Sequence, residues 1–348
     1  MKTVKNLKVG IVGLGKMGQN HVRAISLLRS AQIEFIYDID TRLALQIGKK
    51  YGVSVSTDLM KDLNNVDAVF LVSPTTTHFQ YILSIGEKVK NIFIEKPLTD
   101  SAETTAQVME FAKSRNLNIQ VGFIERFNPA VIELKTILDN YGGVKNVEFV
   151  RTNKMSNRIN DVDIVVDLMI HDIDLALYLN GPVCDIFAYG IFENEQIAYA
   201  TAVLTHQNKS YSLLTASRIT EKRFRQINVT CEEMYIDCNL LKKELSIHRQ
   251  ETGQPYRGSM LSSREDTIQV SNQEALLSED ALFIDSVLNN SFDHLEIATV
   301  KDAMSAITVA NRIQEIIWGK HVSGSSPQSP KICVNAEILE TPNTLEKV

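Results

Sequence analysis

The chain has 348 residues, room for two domains at roughly 150 residues each. Hydrophobic residues make up 44% and charged residues 22%, with a formal net charge of −6, a globular composition able to bury a core without metal or disulfide staples. The mild acidity excludes a broad nucleic-acid or anionic-membrane surface, though not a local basic pocket for one phosphorylated ligand.

From Lys8 to about Phe123, short β-branched apolar runs alternate with amphipathic segments. Lys8–Val12, Ile33–Tyr37, Asp67–Val72, Asn91–Ile94 and Asn118–Gly122 read as strands, and Lys16–Ser30, Arg42–Tyr51, Thr77–Val89 and Ser101–Arg115 as helices. That alternation predicts parallel strands with crossover helices in a doubly wound sheet. A helix from Pro129 to about Asp139 leads to Gly142-Gly143, where the pattern changes. Val147–Thr152, Val183–Tyr189, Ile197–Thr205, Ser210–Ser217, Gln226–Thr230 and Met234–Asp237 follow as strands with no long helices between them, and consecutive strands without crossovers form an antiparallel sheet. Helices are expected at Val166–Leu179, Asn272–Leu288 and Val300–Trp318. Gln250–Asp266 reads as a loop, and the tail from Ser323 as flexible. The expected class is α/β, with a parallel domain over 1–123, an α+β domain with a predominantly antiparallel open sheet over 124–322, and a tail over 323–348.

Cys184, Cys231, Cys238 and Cys333 show no Cys-x-x-Cys spacing and read as reduced thiols. The basic start, Met1 to Lys8, runs into a short strand rather than an apolar leader or membrane span, so a cytoplasmic location is expected.

Gly13-Leu14-Gly15-Lys16-Met17-Gly18 sets G-x-G-x-x-G at the junction of the first strand and first helix. Gly13 permits the tight turn, Gly15 a close backbone approach to a pyrophosphate, and Gly18 helix–strand packing, while the helix N-terminus offers N–H groups to phosphate. Asp38 ends the second strand, where a carboxylate bonds the ribose hydroxyls and repels a 2′-phosphate; a Rossmann domain that binds NAD rather than NADP is therefore expected. Asp40 reads as an N-cap instead. Ser73-Pro74-Thr75 closes the third strand and faces the ligand crevice, and His78 follows, either as a cofactor or substrate contact or as a packing histidine.

Glu95-Lys96-Pro97 after the fourth strand is the next informative run. With the glycine fingerprint, Val121-Gly122-Phe123, Arg126-Phe127-Asn128-Pro129 and Asp167-x-x-x-His171, it resembles the glucose–fructose oxidoreductase/inositol dehydrogenase (Gfo/Idh/MocA) family over nearly the whole chain. The resemblance implies a proline that is often cis, with Glu95 and Lys96 beside the nicotinamide. It also makes Lys96 a catalytic-site residue, His171 the base that takes the hydroxyl proton, and Asp167 its partner. On a helix, Asp167, His171 and Asp174 share one face, and adjacent Asp172 points away and reads as structural. No metal is expected, since adjacent helix residues do not converge and hydride transfer to NAD needs none.

Within the family, the run from Asp161 to Asp174 resembles members that oxidise the 3-hydroxyl of UDP-N-acetylglucosamine, supplying a 3-keto sugar for 3-amino sugar and lipid A-type synthesis. Arg126, Phe127, Asn153, Lys154 and Arg158, with Arg151, are the candidate substrate-binding residues, or else a solvated mixed-charge rim. The alternatives are a free-sugar or inositol dehydrogenase and a non-catalytic sensor of NAD and sugar. Family members commonly assemble as homodimers or homotetramers through the C-terminal sheet, and no nucleic-acid or membrane partner is expected.

Overall fold

The computed structural model describes residues 6–154, 163–251 and 262–322. Arg158, most of the expected loop at 250–266 and the tail from Ser323 lie outside them.

Five parallel strands, β1 (Leu7–Val12), β2 (Ala31–Tyr37), β3 (Ala68–Leu71), β4 (Asn91–Glu95) and β5 (Asn118–Gly122), stand in the order β2-β1-β3-β4-β5. All four residues of β3 are buried, as a strand covered on both faces requires. The covering helices are α1 (Lys16–Ser26), α2 (Thr41–Tyr51), the single turn α3 (Leu59–Asp62), α4 (Thr75–Gly86) and α5 (Ala102–Arg115). Asp40 caps α2, its carboxylate accepting from the N–H groups of Arg42 and Leu43.

After α6 (Pro129–Tyr141) comes the second sheet, built from β6 (Val144–Thr152), β7 (Val183–Glu193), β8 (Gln196–His206), β9 (Tyr211–Ser217), β10 (Phe224–Cys231), β11 (Met234–Asn239), β12 (Glu244–Glu251) and β13 (Ser262–Gln269). Its order is β13-β12-β11-β10-β6-β9-β8-β7. The sheet is predominantly antiparallel, as expected, with one parallel pair, β6 and β9, because the chain crosses over through a helix before the β7–β8–β9 meander returns beside β6. One expectation changes: residues 250–251 and 262–266, expected to be loop, belong to β12 and β13, the latter an edge strand whose Arg264, Glu265 and Asp266 suit an edge that must not recruit another chain.

Helix α7 (Ile170–Asn180) is preceded by a π-helical turn, Val165–Met169, where a uniform α-helix was expected. Helix α9 (Val300–Val322) packs on α5, α7 and β7. Helix α8 (Ala275–Asn289) returns to the nucleotide-binding half and packs on α1, and Ala298 pairs with Val121 of β5. The α1–α8 contact holds a buried ion cluster. His21 Nδ1 lies 2.8 Å from Asp280 Oδ1, its Nε2 lies 3.2 Å from Glu95 Oε1, and the imidazole is fully buried. Burial pulls the His21 pKa down, but Asp280 and Glu95 more than offset this and push it up to about 10, so the ring is a cation at neutral pH.

Replacing His21→Asn leaves two buried carboxylates facing each other, and a loss of about 3–5 kcal/mol in unfolding free energy is expected at pH 7. The folded pKa lies above the ordinary value of 6.5, so the stabilisation is complete below that value and disappears as pH rises through about 10. Denaturant unfolding of both proteins across that window checks it: their difference must narrow toward pH 10.

Candidate active site

The glycine turn after β1 is shaped by contacts a side chain would obstruct. Gly13 sits at φ +96°, and a Cβ on Gly18 would come 2.0 Å from the Gly13 carbonyl oxygen. At Gly15, by contrast, a Cβ would meet nothing within 4 Å, so open space lies directly against the backbone where a pyrophosphate must approach. That space belongs to a cavity of about 570 Å³ at the carboxyl ends of β1, β2, β3 and β4. Gly13, Gly15, Lys16, Met17, Asp38, Ser73, Pro74, Glu95 and Lys96 line it, as expected of a dinucleotide crevice. Asp38 accepts the Leu14 N–H through Oδ2 (2.6 Å) and the Asp40 N–H through Oδ1 (2.8 Å), which aims its carboxylate at the turn and leaves lone pairs for ribose hydroxyls.

Four residues expected at this cofactor site stand elsewhere. Leu14 is buried and contributes only its backbone N–H, and Gly18 is buried in the α1 packing. Thr75 opens α4 without lining the cavity. His78 is 1% exposed, and its nitrogens face the carbonyl oxygens of Ser73, Pro97 and Leu98, so it ties together two loops behind the cavity wall and touches no ligand space. Conversely, Tyr37, Ile39, Leu43, Thr77 and Tyr81 line the cavity and were not expected. Ile39 carried a readable signal: an apolar residue, 85% exposed, directly after the strand-ending carboxylate, where turn residues are ordinarily polar.

The second half of the site forms where β4 meets the π-helical turn. Lys96, which precedes Pro97 across a cis peptide bond, donates from Nζ to the main-chain carbonyl of Asp167 at 2.9 Å. Its backbone N–H donates to Glu95 Oε2 at 3.1 Å, and Glu95 Oε1 is the atom held by His21. The Asp167 carboxylate faces Arg218 Nη2 at 3.4 Å. His171 follows four residues after Asp167, and among the described residues its buried Nδ1 has no hydrogen-bond partner. Burial, helped by the charges of Lys96, Arg151 and Arg225, holds the His171 pKa well below the usual histidine value, so the imidazole is neutral at pH 7. Burial also lowers the Lys96 pKa, against the opposing pull of Asp167 and Glu95.

The neighbouring polar residues are committed to one another. Asp172 accepts from Arg151 through both oxygens, at 2.7 and 2.9 Å, and so is structural as expected. Asp174, expected on the His171 face, instead accepts from Arg126 at 2.6 and 2.9 Å deep in the interior. Arg126 is therefore 3% exposed and stacked on Tyr178, away from the substrate half of the cavity; Phe127 is likewise buried. Arg151 also holds Glu125 at 2.7 Å. Burial would raise the Glu125 pKa, but Arg151 and Arg225 hold it below the ordinary carboxylate range. Lys154 is exposed and ion-paired with Glu221, and Asn153 continues β6, its N–H donating to Ser217. Among the described residues no group of three or more His, Cys, Asp or Glu is placed to hold a metal ion, and no helix is long and apolar enough to cross a membrane. Cys184, Cys231 and Cys238 are free thiols.

Residues 7–123 match the Gfo/Idh/MocA oxidoreductase family, NAD-binding Rossmann fold. The UDP-N-acetylglucosamine 3-dehydrogenase of Acidithiobacillus ferrooxidans is 27% identical over 285 residues, covering 81% of this chain and 89% of that protein. Its crystal structure superposes with a TM-score of 0.81 over 90% of this chain and 98% of that one, at 24% identity. The inositol 2-dehydrogenase of Acidothermus cellulolyticus is 28% identical, over 51% of this chain and 55% of its own length. A scyllo-inositol dehydrogenase from Lactobacillus casei, solved with NAD(H) and scyllo-inositol, superposes with a TM-score of 0.72 over 91% of this chain and 98% of that one, at 22% identity. Residues 7–123 therefore carry the NAD-binding Rossmann domain of the Gfo/Idh/MocA oxidoreductases.

Asp38→Ser removes the carboxylate while keeping a small polar group. NAD affinity is expected to fall about tenfold or more, with NADP gaining relative to NAD, since a charged hydrogen bond is lost and a repulsion relieved. Isothermal titration with each cofactor checks this; an unchanged preference would take Asp38 out of cofactor selection.

Proposed function

We propose that this protein oxidises a secondary hydroxyl of a sugar, the 3-hydroxyl of UDP-N-acetylglucosamine being the best-supported substrate. The observation that carries the reaction is the meeting of the Lys96 ammonium with the turn that bears Asp167, beside a neutral His171 whose Nδ1 is unpartnered among the described residues. The substrate reading is supported by the relative named for that activity, matched over 89% of its length. The second reading, a cyclitol or free-sugar dehydrogenase, is favoured by the inositol 2-dehydrogenase match over about half of that protein.

NAD, when bound, supplies the hydride acceptor at its nicotinamide ring. Among the residues of this chain, Gly13, Gly15 and Asp38 would hold that cofactor, with Glu95 and Lys96 lining the same cavity. Lys96 spends one of its three N–H bonds on the Asp167 carbonyl and keeps two for the carbinol oxygen, which it orients and whose developing negative charge it stabilises. His171 takes the hydroxyl proton as the C–H bond breaks, a role that needs the unprotonated imidazole found here. Asp167 sets the position of both, through its carbonyl to Lys96 and its place one turn before His171. A non-catalytic sensor would have no use for an ammonium and a neutral imidazole brought together in this way. The product, a 3-keto sugar nucleotide, suits a following amination, and the cytoplasm is the expected compartment.

The outer face of the second sheet supports self-association. Phe187, Tyr189, Ile191 and Tyr211 are all exposed there, next to Tyr199, Val203 and Leu213 on the facing strands. An apolar patch of this kind is a surface to be covered, and a homodimer or homotetramer through it is the corresponding reading.

His171→Ala should lower single-turnover NADH formation from UDP-N-acetylglucosamine by about 10²–10⁴-fold; undiminished turnover removes the histidine from the mechanism. In the parent enzyme kcat/KM should be lost on the acid side only below the usual histidine pKa, because the lowered value keeps the base free above it. For the sheet, Tyr189→Glu with Ile191→Glu should reduce the sedimenting mass to that of one chain, and an unchanged mass would place the interface elsewhere.

A further inference from the structure

The register of the second sheet gathers arginines at one end of three adjacent strands. Arg225 of β10 is opposite Arg151 of β6, and Arg151 is opposite Ala216 of β9. These three share one face of the sheet; Arg218 directly follows β9 and Arg223 directly precedes β10, at that same end. That face is the inner one: Phe149, Leu214 and Ile227 are buried on it further along the same strands. It is also the face of the catalytic half, since Arg218 reaches the Asp167 carboxylate whose carbonyl receives Lys96.

Like charges opposite one another on neighbouring strands repel, so the arrangement needs anions. Arg151 has two, Asp172 and Glu125. The only carboxylate within ion-pair distance of Arg225 among the described residues is the same Glu125, whose Oε1 accepts from Arg151 at 2.7 Å and from Arg225 at 3.2 Å. Arg225 is thus the second guanidinium on a carboxylate already taken, and its side chain is still 31% exposed. Arg223, further out, is exposed and has no carboxylate partner among the described residues. The charge of Arg225 lowers the pKa of His171, which helps keep the base neutral, and that of Lys96, where it opposes the ammonium and an anion arriving with the substrate would offset it.

We propose that Arg225, with Arg223 at the rim, is an anion subsite of the substrate pocket that receives the diphosphate of a nucleotide sugar while the sugar ring lies between Lys96 and His171. This deepens the reading of the substrate as a nucleotide sugar and rests on it for the identity of the anion. A guanidinium half-exposed and half-paired offers a planar set of N–H donors to phosphate oxygens, which a lysine does not reproduce.

The test is isothermal titration of UDP into the NAD-saturated protein, parent and variants, with turnover of UDP-N-acetylglucosamine read separately. Arg225→Gln should weaken UDP by about ten- to a hundredfold and Arg225→Lys by less, the loss of charged hydrogen bonds to phosphate. Arg223→Gln, an exposed change that leaves packing untouched, should weaken UDP by a few-fold and flatten its salt dependence. NAD affinity should not move in any of them. The subsite is overturned if UDP fails to bind the parent at millimolar concentration, or if Arg225→Gln and Arg223→Gln bind it as the parent does. Unaltered KM for UDP-N-acetylglucosamine in Arg225→Gln sinks the subsite and leaves the substrate reading standing. UDP binding lost in the variants, with no NADH from that sugar in the parent, sinks the substrate reading and keeps the subsite.

Discussion

A single contact between the end of the first sheet and the π-helical turn organises the candidate active site: the ammonium of Lys96, just past β4, on the main-chain carbonyl of Asp167. Neither partner could be placed by its own element alone. Lys96 is aimed by a loop whose preceding glutamate is gripped by His21 and accepts the lysine's own backbone N–H. The Asp167 carbonyl belongs to a π-helical turn, a geometry that often marks a functional position.

Around this contact the protein stacks buried ion pairs instead of apolar packing. Arg151 clamps Asp172, and Arg126 clamps Asp174, each through two hydrogen bonds. Such pairs contribute little net stability once desolvation is counted. What they supply is orientation: two charged residues on α7, beside His171, can point only where their arginines stand. The helix is therefore fixed in rotation about its axis, and the imidazole beside them with it.

Much of this was legible before any coordinates. The glycine turn, the carboxylate ending β2 and the parallel pairing of the first five strands follow from local patterns of fixed spacing, whereas the role of Lys96 beside the Asp167 turn comes only from the resemblance to a known family. Asp174 and Arg126 were misplaced because helix periodicity says which residues share a face but not which buried cation claims one of them. His78 was ambiguous for a related reason: only tertiary structure shows that its nitrogens meet backbone carbonyls. Arg218 and Arg225 lie in a run of mixed charge between the expected strands Ser210–Ser217 and Gln226–Thr230. Strand register, a pairing across distant sequence, is what collects them. The π turn left no mark at all, since its side chains repeat almost as an α-helix does.

The His21 cluster reaches beyond stability. Because the imidazolium on α1 is locked to Asp280 on α8, and Ala298 is laddered to β5, residues 275–298 are mechanically part of the nucleotide-binding half, although the chain supplies them after the entire second sheet. Prising that stretch loose would part the charged ring from Asp280 and leave it buried with Glu95 alone. Any breathing of the cleft, on cofactor exchange or product escape, must then carry this stretch along as a passenger of the first sheet, with the strands and α7 as the partner that swings.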